Sequence, residues 1–374
     1  MEIYSIVLTI LTILSLFEIF EQNQISNRFI LRIYQSRVDF DIKKIIVLLI
    51  VISFMLISAL RDISVGKDLI NYIPRYTRLG ESDWSNLFSV ARSYSFEEGF
   101  AVFCKVLYSF NPDPTFFLIV TSIIISIGFY NLSKLSKMPI FTMFILFGFG
   151  IYGASMNIVR QFIAFSILTF SIKYITTRQL WKFLLVIIIA TTFHTMTLWF
   201  LPLYVLYAIK YSRNAMISIL AISIFMASFG SPLVSLLIEK TSFAWYLSGL
   251  GKGSGESILL FLFSILLLVY FYRNEIIKVN QQDNLFIWSL SLAIIFNSLA
   301  LNLGIFARLM TFFTPFIAIL IPDLVHAIRE NKANRYLSIS VGIVFIIFFV
   351  LYYQLVLMGG EAEAAQWFPY IRRQ

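Results

Sequence analysis

Apolar residues fall along this chain in long unbroken runs separated by short polar joints, without the strict alternation of a half-buried strand. The runs occupy residues 3–20, 44–60, 114–132, 139–154, 158–174, 180–192, 195–209, 215–238, 257–272, 285–301, 305–325 and 337–358. A bilayer's hydrocarbon core takes about 20 apolar residues of helix, with a range of about 17–25. The pattern therefore predicts an all-α, polytopic integral membrane protein of about 12 transmembrane or re-entrant helices, folded as one membrane domain over residues 1–374. Runs 180–192 and 195–209 are short and nearly continuous, which predicts a broken or re-entrant element, tolerated only where protein or a wet cavity surrounds the break. The longest hydrophilic interval, 61–113, is expected to form a separate loop carrying amphipathic helices between the second and third runs.

Composition agrees: 59% of residues are hydrophobic, 13% are charged and 39 are Phe. Residues 3–20 lack a basic leader and a small-residue cleavage site, so they read as a span and not as a signal peptide. The net charge of +9 would suggest nucleic acid in a soluble chain, but here it sits in alternate joints between runs. These hold Arg28, Arg32, Arg37, Lys43 and Lys44; Lys134 and Lys137; Lys173, Arg178 and Lys182; Lys210 and Arg213; Arg273 and Lys278; and Arg329, Lys332 and Arg335. By the positive-inside rule these joints are cytoplasmic, and both termini and the 61–113 segment are outside. A single cysteine, Cys104, excludes internal disulfides and CxxC chemistry, and two histidines, His194 and His326, make a His-rich metal site unexpected.

On that map the unusual polar residues gather at the outer face. The segment after the second run opens with RDISVGKDLINY, from Arg61 to Tyr72. Gly66 suits a tight turn, after which Asp68, Asn71 and Tyr72 recur at helical spacing. A carboxylate beside amide and phenol groups suits sugar hydroxyls or proton abstraction; the plainer alternative is a capped, solvated helix. Further on, Glu97 and Glu98 precede an amphipathic stretch suited to the membrane surface; Glu97 reads as a first-turn acid favoured by the helix dipole, and Glu98 as either that or a substrate ligand. Arg160, followed by Gln161, opens its apolar run where a positive charge opposes the helix dipole. Its planar fork matches phosphate oxygens, and Arg308 repeats the arrangement in a late run. His194 closes the next run at the outer side, opposite Arg160, and has an imidazole able to exchange a proton near neutrality. His326, among basic residues, reads as solvated. The glycine-rich SGLGKGSGES at 248–257 fits neither phosphate-loop signature and reads as a mobile outer loop.

These pieces, in this order, resemble a known family. VGKDLINY at 65–72, EEGF at 97–100, RQFIA at 160–164, ATTFH at 190–194, Arg308 and FPY at 368–370 are similar to motifs of the EpsG-type, Wzy-like polysaccharide polymerases of bacterial O-antigen, capsule and exopolysaccharide pathways. Lys67 departs from the small polar residue common there. The resemblance implies a GT-C-like glycosyltransferase of the bacterial inner membrane, active at its extracytoplasmic face. It would move a growing glycan from undecaprenyl diphosphate onto the next lipid-linked oligosaccharide repeat unit, with no cofactor and no metal. It implies Arg160 and Arg308, with Arg61, at the diphosphate, and Asp68 or His194 as base; Asn71, Tyr72, Glu98 and Gln161 join the substrate-binding set. Lipid-linked oligosaccharides and the bilayer are the implied partners, with a chain-length regulator and a flippase of the same pathway; nucleic acid is not. An O-antigen ligase would share donor and chemistry. A flippase would show internal repeats and midplane charges, which are not found.

Overall fold

The computed structural model describes residues 2–21, 28–33, 36–238, 255–304, 306–330 and 334–358. The glycine-rich loop through 254, the tail from 359 with its FPY motif, Lys332, and the side chains of Arg28, Arg32 and Arg37 lie outside the described residues.

Among the described residues, the regular elements are helical apart from one hairpin. After α1 (Glu2–Phe20) come strands β1 (Arg28–Ile33) and β2 (Ser36–Asp41), antiparallel with Arg28 opposite Asp41 and Ile33 opposite Ser36. The hairpin is a local addition to the all-α expectation, which the remaining described elements meet. The β-branched and aromatic residues Phe29, Ile30, Ile33, Val38 and Phe40 suit strands, but the basic residues alone drew attention in sequence. Asp41 then caps α2 (Ile42–Ala59), accepting from the backbone N–H of Lys43 at 3.1 Å. The 61–113 interval folds into α3 (Leu69–Glu81), α4 (Leu87–Ser93) and α5 (Glu98–Phe110). Asp113 and Pro114 start α6 (Pro114–Ser133), the aspartate accepting from Thr115 N–H at 2.8 Å.

Next follow α7 (Pro139–Gly148), α8 (Ile151–Asn157), α9 (Val159–Thr169), α10 (Ile172–Thr176) and α11 (Leu180–Thr191). A 3₁₀ segment, Thr195–Phe200, leads to α12 (Pro202–Leu206). The chain continues as α13 (Arg213–Ile238), α14 (Glu256–Phe271), α15 (Arg273–Val279), α16 (Asp283–Ala300), α17 (Phe306–Met310), α18 (Ile317–Glu330) and α19 (Arg335–Tyr352).

Among the described residues, seven helices are long and apolar enough to cross a membrane, and two bent pairs raise this to nine. The bent pairs are α7 with α8, at 57°, and α14 with α15, at 76°. The runs at 158–174, 180–192 and 195–209 instead form shorter pieces. The chain is thus a polytopic helical membrane protein, and the break foreseen after Thr192 is present as a turn and a 3₁₀ segment.

The chain divides into two compact units, Met1–Leu198 with Ala333–Gln374, and Trp199–Lys332. In the first, Glu18 of α1 is buried, and its Oε2 accepts the Phe141 N–H at the start of α7 at 2.8 Å. One carboxylate thus satisfies an orphan donor at a helix start and pins α1 to α7. On α5, Phe100, Ala101, Cys104 and Leu107 form a buried stripe; burial pushes the Cys104 thiol up, which makes it a packing residue and not a nucleophile.

The turn at 61–68 is wedged against the junction between α8 and α9. Arg61 donates through Nη1 to the Ser58 carbonyl at 2.6 Å and through Nη2 to the Met156 carbonyl at 3.1 Å. The Asp68 N–H donates to Asn157 Oδ1 at 2.8 Å. Gly66 has φ of +110°, and a Cβ there would lie 2.9 Å from the Met156 carbonyl oxygen. Positive φ costs an L-residue about 1–2 kcal/mol, and the contact adds to it. Gly66→Ala is therefore expected to destabilise the first unit by about 2–3 kcal/mol. The check is the thermal midpoint of detergent-purified protein, and an unchanged midpoint would show that the wedge is not tight.

Candidate active site

Four chain segments meet at the end of the α9–α11 hairpin that carries Arg160 and His194. Arg160 is the second residue of α9, which places its guanidinium at the helix start. His194 follows α11 by two turn residues, with its N–H bonded back to the Ala190 carbonyl at 3.0 Å. Tyr72 lies one turn into α3, and Glu97 sits just before α5. The segments of Glu97 and His194 are locked together by backbone: Phe100 N–H donates to the Thr192 carbonyl at 3.0 Å. This close approach needs Gly99, where a Cβ would fall 2.2 Å from Thr192 Oγ1.

Glu97 is the hub. Its Oε2 pairs with Arg160 Nη1. Its Oε1 accepts the Thr195 N–H at 3.0 Å and stands 3.7 Å from His194 Nδ1. Exposures of 17% for Glu97, 15% for Arg160 and 14% for His194 leave the three reachable but partly desolvated, so their attraction exceeds that of a surface pair. Arg160 also donates through Nε to Tyr72 Oη at 3.4 Å and through Nη1 to the Ser95 carbonyl at 3.4 Å. Its Nη2 has no hydrogen-bond partner among the described residues. The guanidinium stacks on Phe96, with Cζ 4.2 Å from the ring centroid, which holds the fork in plane and leaves its edge for an anion. Met196 N–H points at His194 Nδ1 from 3.4 Å, favouring the tautomer with the proton on Nε2.

A residue absent from the sequence-level set joins this group. Arg75, one turn beyond Tyr72 on α3, has its Cζ 5.3 Å from the Phe96 centroid and 5.3 Å from that of Tyr94. Arg75 makes no ion pair or hydrogen bond among the described residues. Two arginines thus share one aromatic ring. The signal available in sequence was the i, i+3 spacing of Tyr72 and Arg75 on an amphipathic helix.

The sequence-level candidates divide clearly. Arg160 and His194 come together on Glu97, and Tyr72 joins them through Arg160. Asp68, half-buried just before α3, makes no side-chain cap bond, and Asn71 is exposed. Arg61 is only 1% exposed, and its guanidinium donates to the carbonyls of Ser58 and Met156. Gln161 is buried beside Arg160, because adjacent positions on a helix point in different directions. Glu98 is exposed and 3.5 Å from Arg92, so the bridging role falls to Glu97, which sequence had assigned to the helix dipole. Arg308 is exposed on α17 of the second unit. His326 lies 3.8 Å from Glu330, one turn along α18. Among the described residues no group of three or more His, Cys, Asp or Glu is placed to hold a metal ion.

The EpsG family model matches residues 44–371 of the 374. The chain belongs to the EpsG family, and that membership suggests a polysaccharide polymerase-like function. No curated protein and no solved structure gives a significant match.

Proposed function

We propose that this protein is a GT-C-like polysaccharide polymerase of the bacterial inner membrane, its apolar segments crossing or re-entering the bilayer about twelve times. It takes a growing glycan from undecaprenyl diphosphate and joins it to a lipid-linked oligosaccharide repeat unit at the extracytoplasmic face. The observation carrying this reading is the Glu97-centred cluster, which sets a phosphate-matching arginine beside an imidazole at one helix-hairpin end in a chain of this family.

The chemistry follows from the groups present. An acceptor sugar hydroxyl attacks the anomeric carbon of the donor glycan, and the bond from that carbon to the diphosphate oxygen breaks. His194 takes the hydroxyl proton at Nδ1, the nitrogen left unprotonated in that tautomer, and the imidazolium so formed is stabilised by the Glu97 carboxylate 3.7 Å away. Negative charge grows on the departing diphosphate, where Arg160 and Arg75 act as preorganised cations. Asp68 binds a hydroxyl of the acceptor sugar. A metal is not required by this assignment; activity abolished by chelator would overturn it.

The roles of the two base candidates separate kinetically. His194→Gln is expected to lower turnover about 10²-fold, the lower end for loss of a general base, with a changed pH–rate profile. Asp68→Asn is expected mainly to raise the acceptor KM. The reverse assignment of effects would make Asp68 the base. The reading as a whole is tested on a gel of lipid-linked glycans from cells supplying the native repeat unit. A ladder with the protein and none with empty vector supports polymerisation. Single repeats that accumulate, or pass to a different acceptor, would sink it in favour of transport or ligation.

A further inference from the structure

A cavity of about 700 Å³ lies in the second unit, away from every residue assigned above. Its walls come from the segment after α12, from α15 and from the start of α16, and include Tyr207, Lys210, Asn274, Lys278, Gln281 and Asn284. Two positive charges and several amides line it, and none of its lining residues is a carboxylate. Lys210 and Lys278 approach from different elements. Neither makes an ion pair or a hydrogen bond among the described residues, and the same holds for Asn274 and Gln281.

The wall is built, not incidental. Asn284 is buried; its Nδ2 donates to the carbonyls of Tyr207 at 3.0 Å and Ile209 at 3.1 Å, and its Oδ1 accepts the Tyr211 N–H at 3.1 Å. Trp288 Nε1 donates to the Ile209 carbonyl at 2.8 Å. Four hydrogen bonds thus fix a non-helical strand of backbone against α16, so the Lys210 position is preset and little ordering cost remains for a ligand. On the other side, α15 leaves α14 at a bend of 76° and carries Lys278 with it. Val205, Ile209 and Phe271, within three positions of lining residues in the chain, are all exposed apolar side chains.

We infer that this cavity binds the headgroup of an anionic phospholipid of the surrounding leaflet. The lysines meet the phosphodiester, the amides bond the glycerol hydroxyls, and Val205, Ile209 and Phe271 lie along the acyl chains. Charge and location agree. Both lysines belong to the basic joints that the positive-inside rule puts on the cytoplasmic side, where anionic lipids attract basic pockets between helices. The volume exceeds that of a bare phosphate and lies within the usual range of about 300–1,000 Å³ for ligand pockets. Lipid binding here is independent of polymerisation at the other site.

The test uses full-length protein in zwitterionic detergent. Binding of short-chain phosphatidylglycerol, phosphatidylcholine and inorganic phosphate is followed by thermal shift and by native mass spectrometry. Phosphatidylglycerol is expected to raise the thermal midpoint and to appear as a retained adduct; the other two probes are not. Lys210→Gln with Lys278→Gln should weaken that binding at least tenfold, while the paired arginine substitutions should keep it. Arg160→Ala should leave it unchanged, which separates this site from the donor-lipid site. Equal binding by the double glutamine variant would overturn the proposal. So would inorganic phosphate binding as well as the lipid, since the ligand would then be a free anion. If the glutamine variant fails to fold, the arginine pair decides: loss of the adduct from a folded arginine variant also overturns it.

Discussion

Arg160→Ala is expected to remove the glycan ladder while leaving the protein folded and in the membrane. The guanidinium stacks on Phe96, and three of its contacts are polar: Glu97, Tyr72 and the Ser95 carbonyl. None joins separate spans, so a truncated side chain leaves the helices in place. What disappears is a fixed cation beside the leaving diphosphate. Removing one preorganised electrostatic donor costs about 10²–10³ in turnover. Arg160→Lys keeps the charge but not the fork, since one ammonium cannot meet Glu97, Tyr72 and an anion in the same plane; it should recover little. Arg75→Ala, which removes a cation without disturbing Glu97, should act chiefly on the donor KM. A full ladder from Arg160→Ala at normal protein levels would refute the charge-stabilising role.

Glu97 substitutions should be nearly as severe, and their sign discriminates between two roles. If the carboxylate only neutralised Arg160, then Glu97→Gln would free the arginine and tighten donor binding without loss of turnover. If it positions both Arg160 and His194, turnover falls. The geometry favours positioning, because the two carboxylate oxygens are divided, one toward Arg160 and one toward Thr195 and His194. Glu97→Gln keeps an acceptor for the Thr195 N–H but loses the charge facing both partners, and about 10²-fold lower turnover is expected. Glu97→Ala also removes the acceptor of the exposed Thr195 N–H, a further net cost of about 0.5–1.5 kcal/mol, so its thermal midpoint should drop below that of Glu97→Gln. Single-turnover kinetics with a defined lipid-linked repeat provides the readout. A Glu97→Gln enzyme with normal turnover and a lower donor KM would overturn the positioning role.

The membrane class, the family and two of the central side chains could be read from the chain itself. Long apolar runs allow only helices in a bilayer, because backbone groups there must be satisfied within the segment. Arg160 and His194 stood out for the same reason: each interrupts or ends an apolar run, where a polar group costs free energy. Their meeting was legible as well, since a hairpin with a short turn returns its second end beside its first.

Other features depended on contacts distant in sequence. Glu97 looked like an ordinary first-turn acid because its partners are 63 and 98 positions away. Its neighbour Glu98 has the same chemistry, and only the entry angle of α5, set by Gly99 against Thr192, decides which carboxylate turns inward. Arg61 and Arg160 are likewise the same residue type near the same predicted face. One became a brace because the α8–α9 junction offers it a carbonyl, and the other stayed at the site because Glu97 and Phe96 hold it there. Arg75 was one charge among several on a solvated helix until the fold placed Phe96 beneath it. Sequence by itself determined where polar groups are costly, since burial in lipid is a property of each run alone. Tertiary structure decided which of those groups share a partner, since that depends on how separate runs pack.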